Sequence, residues 1–242
     1  MLRDAIEKIA ELAGVKTFCV DGKTYADSKV FEVRPALDKP EKKELTSLDA
    51  LVKLVKTEAV SILGIHPLFI TVNKFDEVNC FTAINRDERN ERAELYTAKA
   101  ADVVGWNPET KLGFEQAQIA IQTRFQKTAD RDYILRLCSQ ITCGSKVTYN
   151  DNGMATSVVT QKGVALQASE TIKPLVSLKP FRTFQEVDQP ESLFLIRVDE
   201  RGISFIEADG GMWKLAARQT VRNFVEESLK DLVDEGKVIV TL

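Results

Sequence analysis

The stretch LFLIRVDERGISFIEADGGMW, from Leu193 to Trp213, contains the pattern that decides the fold class. Two apolar-rich runs, Leu193–Val198 and Ile203–Glu207, flank the turn residues Asp199–Gly202 and predict two paired strands. A glycine pair then precedes a helical pattern, because glycine supplies the backbone angles that a tight connection needs. The stretch therefore predicts a hairpin followed directly by a helix.

The C-terminal helix is predicted to be long and to end near Gly236. Apolar residues recur at helical spacing along one face: Trp213, Ala217, Val221, Phe224 or Val225, and Leu229 or Leu232. A short apolar strand, Val238–Val240, follows the helix. The tail Val238–Leu242 is expected to add an edge strand to its own sheet or to that of a neighbouring subunit.

The rest of the chain contains further segments with apolar residues at helical spacing or at strand spacing. Helices are predicted after the Thr46–Ser47 cap, around Phe114–Phe125, and after the capping residue Thr128. Strands are predicted at Leu68–Val72, Glu77–Ile84, Arg92–Lys99, Lys146–Tyr149 and Ala155–Gln161. Hairpins separated by helices favour an α+β fold with antiparallel sheets, interspersed helices, and a long C-terminal helix followed by a short strand.

The domain prediction has two parts. Residues 1–44 form an N-terminal lobe with an amphipathic helix over Met1–Ala13, strands over Thr17–Val20 and Tyr25–Val33, and a charged linker over Asp38–Glu44. Residues 45–242 form the main α+β domain.

Charge and hydropathy narrow the classes of partner. The 33 basic and 36 acidic residues give a formal net charge of -3, and they are spread along the chain. A nucleic-acid partner is compatible with this composition but receives no support from it, because phosphate-binding proteins usually carry a basic face. The first residues lack the apolar core of a secretory signal, and no apolar run is long enough to span a bilayer. We expect a cytoplasmic protein with no membrane partner.

The sequence lacks the residue patterns of several common catalytic and cofactor-binding sites. Phosphate-loop, dinucleotide-fold, zinc-protease and nucleophile-elbow motifs are missing, so no cofactor is predicted. The single histidine, His66, is expected to be a loop residue, not a catalytic base. No cysteines have C-x-x-C spacing, and buried free thiols are the expectation for Cys19, Cys80, Cys138 and Cys143.

One turn is the candidate functional site. It consists of Glu207, Asp209, Gly210, Gly211 and Trp213, with Arg182 expected nearby. If the strand continues beyond Glu207, both acids lie on one face and, with Lys214, resemble the carboxylates of a metal-dependent nuclease.

The simpler interpretation is that this turn only connects a strand to a helix. Asp209 then accepts from backbone N–H groups of the first helical turn, and the glycines supply unusual φ angles. Arg182 is expected to pair with Glu186 or Glu207. The capping interpretation explains these residues without a ligand and is favoured, so no catalytic or metal-binding residue is assigned.

The same region is rich in aromatic side chains. Five of them lie between residues 181 and 213: Phe181, Phe184, Phe194, Phe205 and Trp213. A platform for single-stranded nucleic acid needs exposed aromatics among basic residues, whereas these have apolar neighbours. Core packing or a subunit interface is therefore predicted.

The segments Phe181–Ser192 and Phe205–Lys214 resemble an uncharacterised protein family encoded by tailed phages and prophages of Gram-positive hosts. The chain is distantly similar to the YfdQ-like prophage proteins, and Val20–Tyr25, Leu45–Lys56 and Phe114–Phe125 fit the same layout. The resemblance implies a phage origin, expression in the host cytoplasm and a role outside virion morphogenesis. It supplies no catalytic residue.

These observations lead to three functional hypotheses. The preferred one is a non-catalytic, homo-oligomeric accessory protein that binds a host-defence component or the phage DNA-metabolism machinery. The second is a metal-dependent nuclease that uses Glu207 and Asp209. The third is a structural, shell-forming phage protein. Self-association is the expected partnership in the first and third, and a host or phage protein is the expected partner in the first.

Overall fold

The computed structural model describes residues 14, 17–20, 23–26, 40–85, 90–101, 103–107, 110–143, 146–151, 156–162 and 165–242. The fold is α+β, as the sequence predicts. The chain divides into two compact units, Met1–Lys39 and Pro40–Leu242.

The described residues of the smaller unit include a hairpin. Strands β1 (Thr17–Val20) and β2 (Lys23–Ala26) pair antiparallel, and Val20 is opposite Lys23. The second strand therefore begins two residues earlier than predicted, since the pairing leaves only two residues for the turn. The predicted helix over Met1–Ala13, the remainder of the predicted second strand and the first residues of the predicted linker lie outside the described residues.

A five-stranded mixed sheet forms one half of the larger unit. Its strands, in spatial order, are β13 (Val238–Thr241), β4 (Leu68–Lys74), β5 (Glu77–Thr82), β6 (Glu94–Lys99) and β3 (Lys43–Leu45). The central meander is antiparallel, as predicted.

Both edge pairs of this sheet are parallel, so the prediction of antiparallel sheets is wrong here. Each edge strand is separated in sequence from its partner by helical chain, and such crossovers allow parallel pairing. The tail adds its strand to its own sheet. Lys43 and Glu44, predicted as linker, belong to β3.

Helices cover one face of this sheet and form the first core. Helix α1 (Leu48–Leu54) begins where Ser47 Oγ accepts from the N–H of Ala50 at 3.2 Å, and it continues as a π-helical segment over Val55–Ile62. The first core combines α1 and the long C-terminal helix α4 (Met212–Ser228) with alternate strand residues such as Leu68. A short helix, α5 (Lys230–Asp234), follows α4.

The second core lies on a three-stranded antiparallel sheet. Its strands are β10 (Leu175–Leu178), β11 (Ser192–Asp199) and β12 (Gly202–Glu207). Helices α2 (Phe114–Arg124) and α3 (Ala129–Cys143) pack on it. The predicted hairpin is confirmed, and so is the Thr128 cap, whose Oγ1 accepts from the Arg131 N–H at 3.1 Å. Strand β10 was not predicted.

A separate antiparallel sheet contains β7 (Lys146–Asp151), β8 (Thr156–Lys162) and β9 (Ala165–Thr171). The first two strands confirm the predicted hairpin, and the third was not predicted.

Single residues follow the sequence expectations where the structure describes them. His66 is exposed in the loop before β4. Cys80 and Cys138 are buried cysteines, and burial raises the pKa of each thiol to about 12. Within the described residues, no helix is both long enough and apolar enough to cross a membrane.

Candidate ligand-binding cleft

A cleft of about 520 Å³ opens where the two cores of the larger unit meet. Ala100, in its lining, packs against the first core, and Trp106 packs against the second. Four aromatic and four charged side chains contribute to the lining: Phe75, Trp106, Phe181 and Trp213, with Asp76, Arg182, Glu207 and Lys214. Ligand sites commonly occupy such junctions between packed bodies.

The loop that carries Arg182 is held by one buried amide side chain. Gln189, only 2% exposed, accepts through Oε1 from the backbone N–H groups of Arg182 at 2.8 Å and Thr183 at 3.1 Å. Its Nε2 donates to the carbonyls of Phe184 at 2.9 Å and Val187 at 3.3 Å. All the hydrogen-bonding groups of this amide close the loop on itself, so the backbone at Arg182 is rigid.

Two further hydrogen bonds hold other elements that border the cleft. The hydroxyl of Thr183 donates to the carbonyl of Phe75, in the turn between β4 and β5. Arg218, on α4, donates from Nε to the carbonyl of Val72 at 3.0 Å. The loop, the turn and the helix are therefore fixed relative to one another around the cleft, since each bond joins elements that are distant in sequence.

The Arg182 side chain is the buried cation of the site. It is only 9% exposed, and its Nη2 lies 2.6 Å from Oε1 of Glu207, whose side chain is 24% exposed. This short ion contact joins Arg182 to the start of the turn before α4. Nη1 donates to Ser192 Oγ at 3.3 Å.

Aromatic faces surround the guanidinium. Its carbon lies 4.3 Å from the ring centroid of Trp213, 5.4 Å from that of Phe194 and 5.8 Å from that of Trp106. Trp213 also contacts Phe75, with 4.8 Å between ring centroids. A cation over aromatic faces is stabilised by the ring quadrupoles, and the attraction is larger in a desolvated site.

Burial lowers the pKa of Arg182 from its ordinary value, and the nearby charges of Glu207 and Asp209 oppose that change. The guanidinium remains protonated at neutral pH, because its ordinary pKa is above 12. The cleft thus contains a permanent positive charge whose hydration has been largely replaced by aromatic rings and one carboxylate.

Two carboxylate oxygens in this region lack hydrogen bonds to any described residue. They are Oδ1 of Asp76, which lines the cleft, and Oδ2 of Asp209, in the turn before α4. Each atom is buried, and an unsatisfied buried acceptor costs about 1–3 kcal/mol. Native proteins retain few such groups, and each one requires an explanation.

The structure brings together three of the six predicted site residues. Arg182, Glu207 and Trp213 line the cleft, and the predicted ion pair of Arg182 forms with Glu207. Glu186 instead accepts from the backbone N–H of Leu48 at 2.7 Å, at the start of α1.

The other three predicted residues form the turn itself. Asp209 Oδ1 accepts from the N–H of Gly211 at 3.0 Å, and Gly210 and Gly211 have φ angles of 62° and 81°. The unusual glycine angles are as predicted, but the donor to Asp209 is the cap residue Gly211 and not an N–H of the first helical turn. Strand β12 ends at Glu207, so the two acids do not alternate on a continued strand.

The geometry gives no metal ligand set in the described part of the chain. There, no three His, Cys, Asp or Glu residues are close enough to hold an ion together. Glu207 is held instead by Arg182 and by Trp213, whose Nε1 donates to Oε2 at a long 3.4 Å. Lys214 is exposed, with its ammonium group 5.7 Å from the Trp213 ring.

The aromatic residues separate into two groups. Phe184, Phe194 and Phe205 are at most 1% exposed, as the core prediction requires. Phe181 and Trp213 line the cleft instead.

Sequence reasoning missed Phe75, Asp76, Trp106 and Gln189 as parts of the site. No local pattern identifies them, because they reach the cleft only through contacts between distant segments.

Comparison of the chain with protein-family models, with curated proteins and with solved structures gives no match. The resemblance to phage and prophage proteins therefore stays a prediction, and the cleft is the feature that any functional account must explain.

Proposed function

We infer that this chain is a binding protein whose ligand occupies the cleft between its two cores. The observation that carries this inference is Arg182. Its side chain is nine-tenths buried at the cleft, lies among aromatic rings and is paired with Glu207, which also lines the cleft. A protein that needed this arginine only for packing would gain more from an apolar side chain of similar volume.

The shape and lining of the cleft support the same function. Its volume of about 520 Å³ lies within the usual range for small-ligand sites, about 300–1,000 Å³. Aromatic walls supply contact area at low entropic cost, and a few charged groups supply orientation. The rigid loop around Gln189 holds the cation in place before a ligand arrives, which reduces the ordering cost of binding.

The biological role proposed next is supported only by the resemblance to phage and prophage proteins. In this proposal the chain is a cytoplasmic, self-associating phage or prophage accessory protein that counteracts host defence or serves phage DNA metabolism. Light scattering coupled to size-exclusion chromatography tests the self-association, and a monomer at micromolar concentration would contradict it.

Intrinsic fluorescence gives a direct test of binding at the cleft. The chain has two tryptophans, and both Trp106 and Trp213 line the cleft. Titration of the protein with separate panels of nucleosides, amino acids, sugars and small carboxylic acids should change the emission with at least one class. The same class should raise Tm, because a ligand that binds only the folded state stabilises it.

Matched variants distinguish the cleft from other surfaces. Ala100→Phe adds a ring to the lining of the cleft, whereas Ala216→Phe adds the same ring at an exposed position of α4 outside the lining. We expect Ala100→Phe to abolish both responses and Ala216→Phe to leave them unchanged. A panel in which no class changes emission or Tm would overturn the proposed function, as would equal effects of the two variants.

A further inference from the structure

The two edge strands of the five-stranded sheet differ in how they are protected against further pairing. Strand β3 contains Lys43 and Glu44, and each of these forms an ion pair with a neighbouring segment. Strand β13 and the residue after it, Leu242, contain no charged side chain and no proline, and β13 pairs with β4 without a bulge. Charges, prolines and bulges are the features that keep an edge from pairing with another chain, so β13 lacks the protection that β3 has.

The backbone of β13 directs some of its polar groups away from the sheet. The strand is parallel to β4, and the carbonyl of Lys237 accepts from the N–H of Leu68 at 2.9 Å. Alternate residues of a parallel strand bond to the same neighbour, so Lys237 and every second residue after it face β4. Val238 and Val240 therefore direct their N–H and C=O groups to the outer side, where no strand of the described part of the chain pairs with them.

Only the C-terminal part of this edge is accessible. Val238 is 1% exposed, so the protein itself covers its outward groups. Val240 is partly buried, whereas Ile239 and Leu242 are each 40% exposed. An extended chain places the backbone of Leu242 like that of Val240, since residues two apart in a strand are equivalent. The accessible edge is therefore 239–242, with Val240 and Leu242 as its outward residues.

We propose that this edge pairs with the same edge of a second copy of the chain, antiparallel about a two-fold axis at Thr241. In that register Val240 lies opposite the partner's Leu242, and the two exchange backbone hydrogen bonds. The register does not use the covered groups of Val238. Because each copy contributes the same surface, the assembly closes at two subunits. This inference rests on the self-association in the proposed function, for which it names the surface.

The side chains that meet in this pairing are compatible with each other. Val240 covers the partner's Leu242, and burial of exposed apolar surface favours association. Thr241 of each copy lies at the axis, and its Oγ1 is 3.0 Å from Oγ1 of Thr71, so its side chain is already ordered. No like charges become neighbours, because residues 238–242 are uncharged. An uncharged apolar edge thus fits a copy of itself better than it fits a charged partner.

A cysteine at the axis tests the register directly. Opposed residues of an antiparallel pair that exchange no hydrogen bonds have Cα atoms about 4.5 Å apart, which is within the range of a disulfide. We expect Thr241→Cys to form a covalent dimer on mild oxidation, seen on a non-reducing gel. Ile239→Cys lies on the same face, but its two copies would be about 13 Å apart, so it should remain uncrosslinked, as should the parent. Equal crosslinking of the two variants would contradict the register.

A proline tests the backbone contact. Val240→Pro removes an N–H that β4 does not use, so the strand should stay in its own sheet. The dimer should dissociate about a hundredfold more readily, because each copy loses a donor and leaves a partner carbonyl without its hydrogen bond. Val240→Thr keeps both the N–H and the shape and should leave the dimer in place. Light scattering coupled to size-exclusion chromatography compares them, and Thr241→Cys keeps the interface testable if Val240→Pro does not fold.

The possible failures are distinguishable. A monomeric parent at micromolar concentration would overturn the self-association and this interface together. An oligomeric parent that Val240→Pro leaves unchanged, or in which Thr241→Cys forms no covalent dimer, would overturn the interface and leave the self-association standing. Ligand binding at the cleft is measured separately by tryptophan emission, since residues 238–242 do not line it.

Discussion

Strand β12 has an aspartate–glycine turn at each end, and the two turns differ in how their charges are satisfied. In the first, Asp199–Gly202, Asp199 accepts from the Arg201 N–H at 2.8 Å and pairs with Lys111, and its side chain is 53% exposed. In the second, Glu207–Gly211, Oδ2 of Asp209 is buried without a hydrogen bond to a described residue, and Glu207 lines the cleft and pairs with the buried Arg182.

The comparison shows that two turns with similar local sequences have different roles in the molecule. A solvated turn only has to reverse the chain, and water satisfies what the backbone does not. A turn that buries charge among aromatic rings incurs a desolvation cost, and that cost is retained in a protein when it serves a role such as binding. We therefore associate function with the second turn and architecture with the first.

The largest expected loss of stability comes from a substitution in the first turn, Asp199–Gly202. Gly202 has φ 137°, and a Cβ there would overlap the backbone oxygen of Leu112, which accepts from the Ile203 N–H at 2.9 Å. Gly202→Ala should lower the free energy of unfolding by about 4 kcal/mol, combining backbone strain with a clash that cannot relax. Urea unfolding followed by circular dichroism measures it.

The matched change in the second turn is Gly210→Ala. Gly210 has φ 62° and open space around its Cβ position, so we expect a loss of about 1 kcal/mol from the left-handed conformation alone. Equal losses in the two variants would show that close approach of Leu112 does not distinguish the turns.

The next largest expected change in stability comes from removing the cation of the ion pair at each turn. Arg182→Met should destabilise the protein by about 3 kcal/mol, because it leaves Glu207 partly buried without its cation. Lys111→Met removes the partner of Asp199 from an exposed pair, 38% and 53% exposed, and should change stability by less than about 1 kcal/mol. Thermal unfolding monitored by calorimetry compares them.

A small effect for Arg182→Met would mean that solvent reaches Glu207 in solution. The contrast between a buried charge and a solvated one would then not separate the two turns.

The smallest expected effect is a change in the pKa of Asp199. The hydrogen bond from Lys111 holds the pKa of Asp199 below its ordinary value of about 3.9, and the backbone N–H of Arg201 adds to this. Because the folded pKa is depressed, the stabilisation is present above the unfolded pKa and is lost as pH falls through the folded pKa. Carboxyl-carbon NMR should show a higher Asp199 pKa in Lys111→Met than in the parent, and an unchanged value would refute the pairing.

Local sequence predicted much of the fold around these turns. The pairing of Leu193–Val198 with Ile203–Glu207, the helix after the glycine pair and the Thr128 cap all depend on neighbouring residues, and all are present. The parallel pairing of β13 with β4 was not predicted, because it joins segments more than 160 residues apart. Strand periodicity specifies which face is buried but not the direction of a distant partner.

By itself, then, the sequence determined the α+β class and the hairpin and helix from Leu193 onwards, and it limited the expected partner of Arg182 to Glu186 or Glu207. Only the tertiary structure decided that Arg182 would be enclosed by Trp213 and Trp106 at a junction of two cores. The physical reason is that periodicity and turn chemistry act between neighbours, whereas burial of a charge and the shape of a cleft depend on which distant surfaces pack together.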